Sequence, residues 1–476
     1  LFTITDPMSE PTIAISYLDT LPPEWQTDLL PAIQQELGRS SYKIVVLDDD
    51  PTGTQTVRDI PVLTSWAVGA LEKELSGEFP GFFLLTNSRS LTEQAACDLA
   101  REIGGNLYLA SKNTGVRVVV ISRSDSTLRG HFPAEVDAAA EILNKQQLPY
   151  LIIPFFLEGG RYTLDDIHYV KEKDCLVPAA MTPFAKDAAF GFSHSNLKKY
   201  IEEKTRGKIN AEDVIAVSLE DIRVGGPERV AEVLRSVPQG TACIINSASY
   251  RDMEVVVSAL ITVENEGYEF LYRTAASFVR SRLGLDAGDG LLSGTQLVNP
   301  SANGGLFVIG SYVPKTTAQT NALFELTDIV PIEVKVDELL DERRRSEEIE
   351  RVIALTNSTL GSGADAAVYT SRSLVAGSDA PSSLAIGGIV SASLVEIVSN
   401  LTHQPRYLVA KGGITSSDIA TEALGIRRAL VIGQALPGVP AWRCGEETRY
   451  PGMTYIVFPG NVGEDDALAQ IVRKID

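Results

Sequence analysis

Three adjacent carboxylates follow a short apolar run near the start of the chain. Residues 44–47 are apolar, and Asp48, Asp49 and Asp50 come directly after them in the stretch LDDDPTGTQT. Adjacent carboxylates repel one another and lose solvation energy on burial, so packing alone explains them poorly. They suit a Mg²⁺ site, the binding of substrate hydroxyl groups, or a general base. An acidic turn closed by the following Pro and Gly is the alternative without chemistry.

The same residues fit a phosphatase pattern. An apolar strand followed by Asp48, Asp50 and Thr52 at alternate positions resembles the nucleophile motif of haloacid-dehalogenase-type phosphatases. LLTNS at 84–88 is similar to their second motif. In this interpretation Asp48 is the nucleophile and Asp50 the acid/base of an enzyme that acts on a phospho-sugar.

Arginine-containing clusters follow the next apolar runs. TNSRS at 86–90 carries Arg89. SRSDSTLRGH at 122–131 carries Arg123, Ser124, Asp125, Ser126, Thr127, Arg129 and His131. A guanidinium holds a carboxylate through two parallel hydrogen bonds, and hydroxyl groups suit a polyhydroxylated acid. The alternatives are a surface arginine at 89 and a loop salt bridge at 125, and the histidine is expected to be structural.

A fourth cluster lies in IIPFFLEGGRYTLDDIHYV at 152–170. Gly159 and Gly160 allow backbone geometry that a side chain would block. Arg161 and His168 are predicted to face the same cleft as the earlier clusters.

Three glycine-containing turns occur in the C-terminal part of the chain. They lie in IGSYVPKTTAQT at 309–320, AKGGITSSDIATEAL at 410–424 and FPGNVGEDDAL at 458–468. Each is predicted to join a strand to a helix, which leaves backbone N–H groups free to bind phosphate. Ordinary strand-to-helix turns are the alternative. The GxxxxGK[ST] and GxGxxG motifs do not occur in this setting, so neither a P-loop enzyme nor a dinucleotide-binding fold is supported.

The elements that position these residues follow from the alternation of the sequence. Apolar, β-branched runs alternate with amphipathic stretches, which predicts parallel βαβ units. Ligands of such sheets bind outside the carboxyl ends of the strands, where the polar clusters fall. The predicted fold class is α/β, with two domains, each a largely parallel sheet with helices on both faces, and a ligand cleft between them.

Domain boundaries are predicted from composition. Residues 1–40 form an N-terminal extension and 41–285 a first α/β domain. Residues 286–305, rich in Gly, Ser, Asn and Pro, form a linker before a second α/β domain at 306–476.

Composition argues against several classes of partner. The 476 residues include 42 Lys and Arg and 62 Asp and Glu, giving a formal charge of −20. An acidic chain lacks the basic footprint of a protein that binds nucleic acid or an anionic membrane. Four cysteines without a CxxC pair predict neither a disulfide framework nor a zinc site, and they favour a cytoplasmic location.

The motifs together resemble the four-carbon acid sugar kinase family. DDDPTG, NSRS, SDSTLRG, GGRYT and TPFAKDAAFG at 182–191 are similar to its N-terminal domain. VIGSY, AKGGITSSDIATEALG, PGVP at 437–440 and FPGNVG are similar to its nucleotide-binding C-terminal domain. The resemblance runs from about residue 42 to the end of the chain, with the motifs in the family's order.

The resemblance implies phosphorylation of a small acid sugar, such as threonate, erythronate, a 3-oxo-tetronate or 3-oxo-isoapionate, with ATP and Mg²⁺. The implied substrate-binding residues are Asp49, Asp50, Arg89, Arg123, Ser124, Asp125, Ser126, Thr127, Gly160 and Arg161. The implied nucleotide-binding residues are Ser311, Gly412, Gly413, Thr415, Asp418, Gly460 and Asn461. Asp49 and Asp125 are the two candidates for the catalytic base.

Two departures from the family pattern affect these expectations. Many members have Lys where this chain has Arg123, which leaves the identity of the acid sugar open. Many also read close to KSGGFG in the last loop, where this chain has VFPGNVG. A phosphatase that uses Asp48 and Asp50, and a sugar-acid sensor without catalysis, are the alternatives. A homodimer is left open.

Overall fold

The computed structural model describes residues 10–286, 291–311, 313–372, 380–460 and 462–475. In the helix that begins at residue 380, side chains are described from residue 386 onward. These residues form two compact units. The first contains 10–53 and 66–286, and the second contains 54–65 and 291–475. The prediction placed residues 54–65 in the first domain, whereas the structure places them in the second unit. The predicted boundaries at 41, 285 and 305 stay predictions.

The strands are short, as is usual for α/β proteins. In chain order they are β1 Ile13–Ala14, β2 Tyr42–Asp48, β3 Ile60–Leu63, β4 Gly81–Leu85, β5 Arg117–Arg123, β6 Tyr150–Ile153, β7 Arg161–Leu164, β8 Ile167–Glu172, β9 Cys175–Pro178, β10 Ile215–Val217, β11 Ala242–Ile245, β12 Leu271–Thr274, β13 Leu306–Ile309, β14 Val330–Val334, β15 Ala366–Thr370, β16 Leu408–Lys411, β17 Arg428–Leu436, β18 Val439–Cys444 and β19 Thr454–Phe458.

Helices occupy most of the chain between the strands. They are α1 Leu30–Arg39, α2 Val68–Leu75, α3 Glu93–Thr114, α4 Ala134–Ile142, α5 Leu197–Lys204, α6 Leu219–Arg223, α7 Gly226–Ser236, α8 Tyr250–Asn265, α9 Ala276–Arg282, α10 Gly294–Leu297, α11 Pro314–Leu326, α12 Val336–Leu340, α13 Arg345–Gly361, α14 Ala380–Ser399, α15 Gly413–Asp418 and α16 Ala467–Ile475.

Seven of the described strands form the parallel sheet of the first unit. Their order is β10–β11–β6–β12–β5–β2–β4. β2, β4 and β6 bury all or nearly all of their residues. Apolar runs of this kind are typical of parallel strands covered on both faces. The predicted α/β class is confirmed, because the strands run parallel and helices separate most of them along the chain.

A second, antiparallel sheet of the first unit differs from the expectation. It contains β1, β9, β8 and β7 in that order, and it carries Arg161 and His168. Asp165 and Asp166, between β7 and β8, have φ of 49° and 67°. Two successive residues with positive φ form the tight turn of a β-hairpin. The pattern RYTL-DD-IHYV is therefore the local signal for this hairpin.

The second unit has a sheet that is parallel in one half only. Its order is β3–β17–β18–β19–β16–β13–β15–β14. The pairings from β19 to β14 are parallel, and those from β3 to β19 are antiparallel. The buried side chains of Phe307, Val409, Ile456 and Phe458 form its core with α16.

Residues 54–65 complete the antiparallel half of this sheet. β3 pairs with β17, with Ile60 opposite Val431. The buried Trp442 donates from Nε1 to Thr54 Oγ1 at 3.0 Å. A segment from the N-terminal part of the chain is thereby a strand of the second unit. None of the described helices is both long and apolar enough to cross a membrane.

Candidate functional site

Three neighbouring strands of the first unit bring the predicted carboxylate and arginine clusters to one edge. In the order β5–β2–β4, Asp48 ends β2 and is the register partner of Arg123 in β5 and Leu85 in β4. Backbone hydrogen bonds continue past the strands, from Thr86 N to Asp48 O and from Arg89 N to Asp49 O. The loops after the three strands are therefore held together, and their polar side chains form one cluster.

The innermost pair of this cluster is Asp48 and Arg123. Arg123 Nη1 lies 3.2 Å from Asp48 Oδ1, and the two side chains are 5% and 1% exposed, respectively. Burial raises the pKa of Asp48 to about 7, against the effect of Arg123. A Cβ at Gly53 would fall 1.9 Å from Asp48 Oδ2, so only glycine lets the following turn cover this carboxylate. Asp48 is thus a covered structural acid, and the phosphatase interpretation, which needs it as an exposed nucleophile, loses support.

Asp49 lies next to this pair and has one oxygen without a close partner. Its Oδ2 accepts a hydrogen bond from Ser124 Oγ at 2.7 Å. Its Oδ1 lies 3.6 Å from Arg89 Nη2 and 3.9 Å from Arg123 Nη1, and it has no hydrogen-bond donor among the described residues. This oxygen is buried and keeps lone pairs that can accept a hydrogen bond or a proton.

Arg89 joins the loop after β2 to the loop after β5. Its Nη2 forms an ion pair with Asp50, and its Nη1 lies 3.5 Å from Asp125 Oδ1. Thr52 donates to Asp50 from both its backbone N and its hydroxyl. Burial alone would raise the pKa of Asp50, but Arg89 and Thr52 outweigh it and hold the pKa below its usual range. Arg89 is therefore already neutralised by carboxylates of the protein.

Asp125 is held by cations and hydroxyls on the opposite side of Arg89. Arg129 Nε donates to Asp125 Oδ2 at 2.7 Å, and Thr127 donates its hydroxyl to the same oxygen. Burial opposes ionisation, but Arg89 and Arg129 lower the pKa of Asp125 well below its usual range. Arg129 also lies 3.5 Å from Asp187. Asp125 is consequently a firmly ionised carboxylate and a weak base.

Arg161, like the fully buried Arg273, has no salt bridge to the described residues. It begins β7, its guanidinium lies 5.8 Å from the centre of the Phe184 ring, and its Nη1 donates to Gly159 O. Its Nε is buried without a hydrogen-bond partner among the described residues. Burial lowers its pKa, although Asp125 acts in the opposite direction. Gly160, with φ of 69°, forms the turn before it.

Arg273 and Gly130 are buried residues that stabilise the loop at 124–130. Neither is among the residues predicted from the sequence to form the site. Arg273 is fully buried in β12 and donates from Nη2 to the carbonyl oxygens of Asp125 and Arg129 at 2.8 and 3.0 Å. Gly130 has φ of 118°, and a Cβ there would lie 2.5 Å from Ser124 Oγ. A charged residue within the apolar run at 270–276 was the available signal for Arg273.

The two histidines of these clusters contact backbone carbonyl oxygens. His131 Nε2 lies 3.2 Å from Ser88 O and 3.1 Å from Leu91 O. His168 is fully buried, with Nε2 2.7 Å from Ser126 O, and burial lowers its pKa to about 3. His168 is therefore a neutral residue that positions the loop of Ser126, and it does not line a cleft.

A buried glutamate also lies near the carboxylates. Glu135, at the start of α4, is 8% exposed. Burial raises its pKa to about 7; a hydrogen bond with Ser88 opposes this and the charge of Asp49 adds to it. The sequence carries no signal for this role, because a glutamate in the first turn of a helix is ordinary.

In the second unit, three adjacent parallel strands end in the predicted glycine turns. Lys411, the last residue of β16, is the register partner of Phe458 in β19 and Ile309 in β13. The carboxyl ends of the three strands therefore meet at one edge. Gly412 N donates to Phe458 O at 2.9 Å, which joins two of the turns.

The residues of these turns approach closely. A Cβ at Gly412, whose φ is 115°, would lie 3.2 Å from Ser311 Cβ and 3.5 Å from Thr415 Oγ1. Gly413 begins α15. The structure therefore brings Ser311, Gly412, Gly413 and Thr415 close together. Glycine turns between a strand and a helix are a common setting for phosphate binding.

The other residues predicted to bind the nucleotide are Gly460, Asp418 and Asn461. Gly460 O accepts from Lys411 Nζ at 3.1 Å and from Thr316 Oγ1 at 3.5 Å. Asp418, at the end of α15, accepts a hydrogen bond from the hydroxyl of Ser391. Asn461 lies outside the described residues. Among the residues that are described, no group of three or more His, Cys, Asp or Glu could hold a metal ion.

Comparison with solved structures shows the same fold in other proteins. A Salmonella typhimurium LT2 protein provisionally described as a tRNA synthase is 16% identical, with a TM-score of 0.66, and the match covers 91% of this chain and 100% of that one. A Haemophilus influenzae protein of the DUF1537 family is 18% identical, with a TM-score of 0.63 and the same coverage of both chains.

A third structure is more distant. It is a Bordetella bronchiseptica DUF1537 protein, solved as a domain-swapped dimer with bound citrate, and it is 19% identical with a TM-score of 0.38 over 91% of this chain and 98% of that one. No curated protein matches the sequence.

Family models match both parts of the chain. Residues 44–282 match a sugar-binding N-terminal domain, and residues 306–468 match a nucleotide-binding C-terminal domain. The first model alone covers half of the sequence, and the two occur in the order that the motifs predict. The chain therefore belongs to the family with a sugar-binding N-terminal and a nucleotide-binding C-terminal domain, the architecture of the four-carbon acid sugar kinases.

Proposed function

We propose that the protein is an ATP-dependent kinase that phosphorylates a hydroxyl group of a small acid sugar of the threonate, erythronate, 3-oxo-tetronate or 3-oxo-isoapionate type. One observation carries this proposal above the others. Each family domain has its own polar site at the carboxyl edge of a parallel sheet, one rich in carboxylates, hydroxyls and arginines and the other built from glycine turns. The first suits a polyhydroxylated acid and the second suits phosphates.

Arg161 is the best candidate to bind the substrate carboxylate. Arg89 and Arg123 are also implied substrate-binding residues, but both form ion pairs with Asp48, Asp49, Asp50 or Asp125. Arg161 has no such partner among the described residues, and its Nε is an unsatisfied donor. A half-buried guanidinium without a counter-charge gains most from an anionic ligand, because little water competes for it.

Asp49 is the better candidate for the general base. The cations around Asp125 hold it in the ionised form and weaken it as a proton acceptor, whereas Asp49 keeps Oδ1 free of close donors. In the proposed step the substrate hydroxyl oxygen bonds to the γ-phosphorus of ATP, and the bond from that phosphorus to the ADP oxygen breaks. The hydroxyl proton passes to Asp49.

ATP is proposed to bind with its phosphates at the turns that contain Ser311, Gly412, Gly413 and Gly460. Mg²⁺ on a nucleotide takes most of its ligands from phosphates and water, so it does not require a cluster of protein carboxylates. When bound, it would neutralise charge that develops on the transferred phosphoryl group. The four free cysteines support a cytoplasmic site for the reaction.

The direct test is ADP formation that depends on the acid. The protein is incubated with MgATP and a panel of tetronates, 3-oxo-tetronates and branched relatives, and ADP and phosphorylated acid are quantified. We expect one ADP per phosphorylated acid with at least one member of the panel, and only background ATP hydrolysis without acid. Binding of both ligands without turnover would favour a sensor, and phosphate release from phospho-sugars without ATP would favour a phosphatase.

A further inference from the structure

A fully buried lysine lies beneath the glycine turns of the second unit. Lys411 Nζ donates to Pro459 O at 2.6 Å and to Gly460 O at 3.1 Å. The same Nζ lies 4.2 Å from the centre of the Phe458 ring. Lys411 also immediately precedes Gly412 in the chain. One side chain therefore connects the turn after β16 to the turn after β19.

The charge of this lysine is poorly compensated. The described residues form no ion pair with Lys411, and its partners are two carbonyl oxygens and one ring face. The surrounding elements carry the ionisable groups of Lys315 on α11, Asp418 on α15 and Tyr455 on β19. Lys315 itself lies 3.4 Å from Asp465. Burial and, to a smaller extent, the charge of Lys315 lower the pKa of Lys411 to about 7.

A nucleotide phosphate at these turns would supply the missing counter-charge. An anion near a buried ammonium favours the charged form and raises its pKa. The ammonium in turn holds the carbonyl oxygens of Pro459 and Gly460, and it thereby fixes the turn after β19 against the turn that begins at Gly412. We propose that Lys411 is a positioning residue of the nucleotide site, and that binding of nucleotide phosphates is coupled to uptake of a proton by this lysine. This inference rests on the nucleotide site of the proposed function.

Calorimetry of MgADP binding tests the coupling. The titration is done at about pH 8 in two buffers of different ionisation enthalpy, and the difference in heat gives the number of protons taken up. The nucleotide phosphates are already ionised at this pH, because their last pKa is near 6. We expect the wild-type protein to take up more than about half a proton per MgADP. Binding without proton uptake would overturn the inference but leave the nucleotide site intact.

Two variants and one control assign the proton. Lys411→Met should bind MgADP about 10- to 100-fold more weakly and without proton uptake, and Lys411→Arg should retain charge and show no uptake either, because arginine does not titrate. Lys474→Met is the control, since Lys474 Nζ also donates to a backbone carbonyl, that of Ala435, at 2.9 Å. It should behave as the wild type. Unchanged uptake in either Lys411 variant would contradict the assignment, and no MgADP binding by the wild type would instead overturn the proposed function.

Discussion

Asp48 and Arg123 are register partners at the ends of adjacent parallel strands, and their side chains form a buried ion pair of 3.2 Å. The pair closes the edge of the sheet beneath Asp49 and Asp50. Asp48, the nucleophile of the phosphatase interpretation, and Arg123, an implied substrate-binding residue, are therefore paired with each other, and the neighbouring residues provide the groups that can meet a ligand.

Loss of Arg123 should destabilise the protein strongly. Arg123→Met leaves the carboxylate of Asp48 buried without its partner, which costs roughly 3–5 kcal/mol in comparable buried pairs. The control is Arg235→Met, because Arg235 pairs with Glu266 at 2.7 Å on the surface, and such pairs contribute about 0–1 kcal/mol. Denaturant unfolding measures both changes. Equal stability of the two variants would contradict a structural role for the Asp48–Arg123 pair.

Asp48→Asn should change the pH dependence of stability. Burial raises the pKa of Asp48 from 3.8 to about 7, so the folded protein holds this proton more tightly than the unfolded chain. The stability that this group contributes is present below its unfolded pKa and is lost as the pH rises through about 7. Asparagine does not titrate, so the variant does not lose this stability. The free energy of unfolding of the variant, relative to that of the wild type, should therefore rise by on the order of 2–4 kcal/mol between about pH 4 and pH 7.

Asp125→Asn is the matched control for this titration. The cations around Asp125 lower its pKa, so its contribution is lost only as the pH falls below the ordinary carboxyl range. Its stability relative to the wild type should stay constant from about pH 5 to pH 7. Groups common to the compared proteins, such as His168, cancel in both differences. Parallel pH curves for Asp48→Asn and the wild type would show that Asp48 is ionised in the folded protein.

Arg161→Met should weaken binding of the acid and spare the nucleotide. Loss of a charge-assisted hydrogen bond costs about 1.5–3 kcal/mol, which corresponds to a ~10- to 100-fold rise in KM for the acid. Arg161→Lys should recover only part of this loss, because an ammonium cannot hold a carboxylate with two parallel bonds. Steady-state kinetics with either ligand varied provides the readout. Equal rises in KM for the acid and for ATP would place Arg161 outside the acid site.

Asp49→Asn and Asp125→Asn should differ in which kinetic constant they change. If Asp49 accepts the hydroxyl proton, Asp49→Asn lowers kcat by about 10²–10⁴ with little change in ATP affinity. Asp125→Asn removes a partner of Arg89 and Arg129, so it should act mainly through KM for the acid. A larger fall in kcat for Asp125→Asn than for Asp49→Asn would reverse the two assignments.

The sequence predicted which loops carry polar residues, because apolar runs end at Asp48, Leu85, Arg123 and Ile309, close to the strand ends in the structure. It could not predict the pairing within the cluster. Arg89 and Arg123 look like free anion-binding groups in the sequence, and only the adjacency of β5, β2 and β4 shows that acidic residues of the protein already neutralise them. Strand order depends on contacts distant in sequence, which a local pattern does not encode.

Two other features depend on distant contacts in the same way. Residues 54–65 carry a short apolar strand like any other, and nothing local indicates that it pairs with β17, more than 360 residues later. Lys411 precedes a glycine pair that suggests a phosphate turn, but its burial against Pro459 and Gly460 follows from the neighbouring position of β19. The β7–β8 hairpin of the antiparallel sheet, in contrast, could have been predicted from the Asp165–Asp166 turn.

Transfer of labelled phosphate tests the central claim most directly. The protein is incubated with γ-³²P-ATP and the acid that supports ADP formation, the reaction is quenched in acid, and the label is followed in protein, inorganic phosphate and acid sugar. Direct transfer predicts label in the acid sugar, stoichiometric with ADP, and no label retained on the protein, in the wild type and in Asp48→Asn alike. A stoichiometric phospho-enzyme that disappears in Asp48→Asn would contradict the account, because it would make the buried Asp48 a nucleophile.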